Sequence, residues 1–477
     1  MTLTRPGPLA PEEVARPTAV PPCAGVPPLG EGPLSADVVL RSRWLDVLLG
    51  DPAGSDGPRG RTVTAAAQRD PLPSGALGAV LPGPGDVRRV GADGIVRVLR
   101  PLFRRDLGVG FAWAVRPLSG VLGAAGGAEP AGGHGDLAAL LGPAALIAAA
   151  GGVLHTTARL VDGLIAHEPG VRQWQPVLAA VFADLLACES LTAVALRAPA
   201  LTEGGTPALT AAAGYVVPHL VGQALDDLEL VLNGSGFGPG TTERRTLAKL
   251  AADRAAAGVD AAATAARQAR LIQALPTLAD QAAGASRTLD ARGEGGEHPQ
   301  LRRLFRLGAT VAAGTEAPGA DAMPAAAVAA VLPEAAARLA GRPDDDPAVA
   351  ALARVARRLA TEQRRLRLPY PTAGHSDPAD PVTRGLSDRQ ALLLLAAAVL
   401  GVGQEADGFL GGPHWALLAL VRVTGRLGAP LPATDVDPAG DVWAELAERT
   451  RQGVDCDVYG TELLWAGAGR RRAGGGT

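Results

Sequence analysis

Several short stretches of this chain put ionisable side chains where they can act together. Arg104, Arg105 and Asp106 are consecutive in LRPLFRRDLGVG. Two guanidiniums beside a carboxylate suit interhelical ion pairs, or contact with an anionic group on a partner. His134 and Asp136 flank one glycine in the Gly-rich GGHGDL, where they serve as loop polars or, with a wall opposite them, as ligands. Asp260 opens the Ala-rich DAAATAARQARL and fits the N-cap of a helix that also carries Thr264. His155 closes a long apolar run and reads as a buried or boundary histidine. In ARRLATEQRRLRL, Glu362 among Arg357, Arg358, Arg364 and Arg365 reads as a solvated helix face. No HExxH, GxSxG, GxGxxG or P-loop pattern occurs, so zinc peptidase, α/β-hydrolase, dinucleotide-fold and P-loop NTPase chemistry have no support.

Composition narrows the classes further. The 477 residues carry a formal charge of −3 and are 47% hydrophobic, 19% charged and 3% aromatic. Lys249 is the only lysine, and alanine, glycine, arginine and proline dominate, as in a G+C-rich genome. A near-neutral chain without a clustered basic face does not suit nucleic acid, and the apolar content is ample for a large core. Cys23, Cys188 and Cys456 are scattered and odd in number, so neither a disulfide framework nor a zinc site is expected. The amino terminus is too rich in proline and acid for a signal peptide. Leu137 to Leu154 is an uncharged run near the lower limit for crossing a bilayer. Its Ala/Gly content favours a buried helix. The expectation is a cytoplasmic protein without a membrane partner.

The elements that must position these residues are helical. Residues 1–38 form a flexible Pro/Gly-rich tail by composition, followed by an N-terminal helical domain at 39–128. Within it, Leu40, Trp44, Leu48 and Leu49 share a helix face, and 92–126 reads as a further helical segment despite Pro101 and Pro117. A linker occupies 129–141, and a helical bundle spans 142–285. In that bundle Val177, Val181, Leu185, Cys188 and Thr192 recur at helical spacing. A second linker, 286–300, contains ARGEGGEHP, and an additional helical domain fills 301–470. Alternating β-branched runs and Asn-Gly hairpin signals are missing, so the fold class is all-α.

Six short segments, in order, resemble the acyl-CoA dehydrogenases in the long form common in actinobacteria. They are WLDVLLGDP (44–52), LRPLFRRDLGVG (99–110), GGHGDL (132–137), FADLLACESLTAVALRA (182–198), AGYVVPHLVGQALDDLELVLNGSGF (213–237) and FLGGPHWALLALVRVTGRLGAPLP (409–432). The resemblance implies an N-terminal helical domain, a C-terminal four-helix bundle and an extra C-terminal helical domain. It also implies FAD as cofactor, and α,β-dehydrogenation of an acyl thioester carried by coenzyme A or an acyl carrier protein. A carboxylate would take the α-proton while hydride passes to the flavin.

The sequence departs from that family at three points. The middle β-domain that would wall the flavin is largely absent between His134 and about Leu154. In VDGLIAHEPGVRQWQ, Arg172 is the guanidinium left to meet the cofactor diphosphate, and His167 and Glu168 stand where the resemblance expects basic residues. Thr264 matches the family's threonine, but Ala262 and Ala263 replace the acid and glycine before it, leaving Asp260 as the nearest candidate base. His134 and Asp136 are the remaining implied cofactor contacts, and Arg104, Arg105 and Asp106 the implied acyl or partner contacts. The resemblance therefore implies a degenerate or partner subunit of a full-length homologue or of a homo-oligomer. The alternative is a non-catalytic helical scaffold or binding protein of the same descent.

Overall fold

The computed structural model describes residues 34–50, 81–119, 134–203, 207–256, 261–275, 299–309, 311, 323–324, 326–341, 346–366, 379–429 and 436–464. Among them helix dominates, as the composition requires. The only strand pairing among the described residues is two residues long, Thr202–Glu203 running parallel to Met323–Pro324, with one isolated bridge there between Val454 and Glu462. The all-α expectation holds, and no β-barrel occurs among the described residues.

At the centre lies the helix Gln175–Arg197, buried without interruption from Leu178 to Arg197. Alanine, leucine and valine make up most of it, so every face can take a neighbour. The long helices His134–Leu164 and Pro207–Gly234 pack on it from one side, and Pro381–Glu405, Pro413–Arg426 and Ala439–Gln452 from the others. Pro84–Arg105 joins it to the amino-terminal helix Leu34–Leu49. One apolar cluster runs from Val38 to Val458 through all of these elements. Removing such surface from water, at roughly 25 cal/mol per Å², drives the association.

Local chemistry sets the ends. The segment read as one helix over 92–126 breaks at Asp106 and not at either proline. Asp106 is extended (φ −162°), and its side chain accepts from Val109 N–H to start the next turn, Leu107–Gly110. The helix His134–Leu164 begins inside the stretch expected as a linker and continues for 31 residues. Gly453, with φ +70°, ends Ala439–Gln452 in the left-handed conformation that glycine adopts at little cost.

The expectation of a plainly cytoplasmic protein is overturned. Among the described residues four helices are each long and apolar enough to cross a membrane: Ala138–Leu164, Pro169–Ala200, Pro207–Gly234 and Pro381–Glu405, of 27, 32, 28 and 25 residues. The uncharged run noted in the sequence is one quarter of this signal: the stretch Pro207–Leu225 is also free of charge, and the remaining two helices carry a few charged residues within their apolar spans. Within the fold these windows are 83–94% buried by the rest of the chain.

Candidate functional site

Charged groups in the interior converge on one short segment. After Gly453 the chain forms a strap, Val454–Leu463, whose ends pair through Asp455 N–H to Thr461 O (2.8 Å) and Leu463 N–H to Gly453 O (2.7 Å). The strap inserts Asp455 and Asp457, both fully buried, between three helices. Arg100 and Arg104 lie one turn apart on Pro84–Arg105 and both reach Asp455, at 2.8 and 2.5 Å. Arg104 also holds Asp46 at 2.5 Å, and Asp46 accepts from Leu464 N–H. Arg100 donates to Glu189 on the central helix and lies 3.3 Å from Asp457. Glu189 accepts in turn from Val458 N–H at 3.0 Å, and Arg449 donates to the carbonyls of Asp457 and Asp455. A Cβ on Gly152 would sit 2.7 Å from Arg104 Cγ, so glycine there lets the arginine cross the neighbouring helix.

The lattice sets opposite protonation tendencies on its members. Burial pushes Asp455 upward, but the guanidiniums of Arg104 and Arg100 outweigh it and hold this carboxyl well below the usual carboxylate range. Burial pushes Glu189 up to about 8 against the pull of Arg100. Burial also lowers His155, beside Asp455, Arg104 and Arg159, to about 4. Cys188 and Cys456 are buried, and burial raises both thiols, which makes them poor nucleophiles.

The residues singled out in the sequence are dispersed across this frame. Arg104 is consumed in the lattice. Asp106 pairs with Lys249, the only lysine, at 2.8 Å, and Lys249 also holds Asp253 at 2.7 Å. Arg105 is partly exposed at the end of its helix. His134 and Asp136 lie in the first turn of His134–Leu164, and the helix over 261–275 comes to that same end, where Arg267 donates to Ala139 O and Gly214 O. Thr264, on that helix, is half-buried; Asp260 lies outside the described residues. Arg172 is exposed on the 3-10 turn Pro169–Trp174, beyond the other end of His134–Leu164. A 31-residue helix is about 45 Å long, more than a flavin dinucleotide can bridge. Within a single chain the implied cofactor residues therefore lie toward opposite ends of this helix. Glu362, read as part of a solvated face, is buried and takes Arg358, Arg365 and Arg389.

A second feature escaped the sequence reading. A cavity of about 820 Å³ opens between Pro84–Arg105, Pro299–Phe305 and the end of Pro381–Glu405, with Tyr459 of the strap in its wall. Arg197 organises its rim. This buried guanidinium pairs with Asp93 at 3.0 Å and donates to the carbonyls of Arg303, Leu304, Arg306 and Ala309. Winding the backbone around that cation leaves the Arg303 and Arg306 side chains exposed at the mouth. Arg97 stacks over Tyr459, 4.3 Å from the ring centroid, and Tyr459 donates to Asp93 at 2.9 Å. The closely spaced arginines at 302, 303 and 306 were the available signal, hidden in a block read only as helix.

Comparison with known proteins finds no matching family model, no matching curated protein and no matching solved structure.

Proposed function

We propose that this chain is a non-catalytic helical scaffold or binding protein and not a self-sufficient flavin dehydrogenase. The observation that carries this reading is the separation of the implied cofactor residues, with His134, Asp136 and Thr264 toward one end of a 31-residue helix and Arg172 beyond the other. The internal use of Arg104 and Asp106 supports it, since neither side chain is left to meet an acyl thioester or a partner. Descent from the acyl-CoA dehydrogenases is part of the proposal and rests on the sequence motifs.

Titration of the purified chain with FAD tests the reading. The expected result is a colourless protein with no saturable change in flavin fluorescence and no dye reduction with an acyl-CoA. A preparation that takes up one FAD per chain and dehydrogenates the thioester overturns it.

A second reading, as a subunit beside another copy or a full-length homologue, is favoured by one surface. Val39, Leu40 and Val47 are 41, 40 and 53% exposed on the outer face of Leu34–Leu49, where an isolated chain leaves apolar surface in water. Light scattering decides it: a dimer dissociated by Val47→Glu supports the subunit reading, and a monomer in both proteins, alone or mixed with a full-length homologue, removes it.

A further inference from the structure

We infer that the arginine-rimmed cavity is a binding site for a small organic phosphate. This goes beyond the scaffold reading and holds whichever way the flavin titration falls. Of the cations around the cavity, Arg197 is neutralised by Asp93 and Arg302 faces Glu405 at 3.3 Å. Among the described lining residues that leaves Arg97, Arg303 and Arg306 against the exposed carboxylate of Asp407, a surplus of 3 − 1 = +2 there. Arg303 bonds only the neutral Gln300 among the described residues, and Arg97 Nη1 is buried there with no hydrogen-bond partner. A buried guanidinium N–H without an acceptor is costly, which leaves Arg97, among the described residues, a cation without an anionic partner beside the cavity.

Three forked donors around one mouth match the several oxygens of a phosphate better than the two of a carboxylate. The floor is apolar, with Phe305, Leu307 and Val402 buried beneath the rim. A volume of about 820 Å³ is far larger than an inorganic ion needs and falls within the range of small-molecule sites. The phosphate accordingly rests on the arginine rim while the organic body covers the floor. Tyr459 fixes Arg97 from below, so the rim is set before a ligand arrives.

Calorimetric titration of the full chain in low-salt buffer, with inorganic phosphate and with phenyl phosphate, tests the assignment. Saturable binding of phenyl phosphate at one site per chain is expected, tighter than inorganic phosphate. Arg303→Gln and Arg306→Gln, both at exposed positions, should each weaken it about tenfold, the effect of losing one charge-assisted hydrogen bond. Arg354→Gln, exposed on the helix Pro347–Leu366, should leave it unchanged. Circular dichroism confirms that each variant is folded. The absence of saturable binding, equal affinity in the rim variants, or an equal loss in Arg354→Gln overturns the site. Equal affinity for the two ligands overturns it as a site for an organic phosphate.

Discussion

Arg104 and Asp455, 351 residues apart in sequence, meet at 2.5 Å in the interior, each with less than a twentieth of its side chain exposed. An ion pair so enclosed is costly to leave half-made. Replacing one partner strands a charge, typically for about 3–5 kcal/mol. Asp455→Asn removes the anion that Arg104 and Arg100 share, leaving Asp46 beside one and Asp457 beside the other, and should lower stability by up to that amount in urea unfolding. Glu189→Gln should cost less, about 1–2 kcal/mol, because burial already favours the neutral form of Glu189. Equal losses in the two variants would refute the contrast.

The histidine beside this pair sets an acid limit. His155 titrates near 6.5 in an unfolded chain and near 4 in the fold. Below pH 6.5 the unfolded chain takes a proton that the folded one refuses. Stability present above 6.5 is therefore lost as the pH falls toward 4, by on the order of 3 kcal/mol. Melting temperatures measured from pH 7 to pH 4 should fall in the native protein and fall less in His155→Asn.

Lys249 answers two carboxylates at once. Lys249→Met leaves Asp106 and Asp253 buried without their cation and should lower the melting temperature markedly, while Lys249→Arg should recover most of the loss. Failure of arginine to rescue would show that the compact ammonium, and not positive charge alone, is what the two carboxylates need.

Gly401 tests the packing behind the cavity. A methyl group there would lie 2.5 Å from the Phe305 ring. Gly401→Ala should destabilise by about 1–3 kcal/mol, the usual effect of overpacking. Pairing it with Phe305→Leu should restore part of that, as thermal unfolding of the double variant would reveal.

Much of the helical framework was legible in apolar spacing. The stretch that became Gln175–Arg197 carries its period openly, because a helix buried on all faces still needs residues small enough to let neighbours approach. The position of the break at Asp106 was not legible, since a short carboxylate that caps the next turn outweighed the two more obvious prolines. Nor was the strap: DCDVY has no period, and its burial depends on guanidiniums some 350 positions earlier. Two carboxylates flanking a cysteine were nonetheless a usable sign, because such a triplet needs nearby cations wherever it is enclosed. The six motifs that resemble acyl-CoA dehydrogenases mostly trace helix faces. They speak to packing more than to chemistry.

The strap also imposes an order on biosynthesis. Because it is made late and faces side chains on segments translated much earlier, the ribosome releases those segments with only Asp46 and Glu189 beside guanidiniums that the finished fold also gives Asp455 and Asp457. Nascent chains stalled or cleaved ahead of it should stay loosely packed and be digested quickly. Supplying the missing stretch as a separate peptide is the way to complete them.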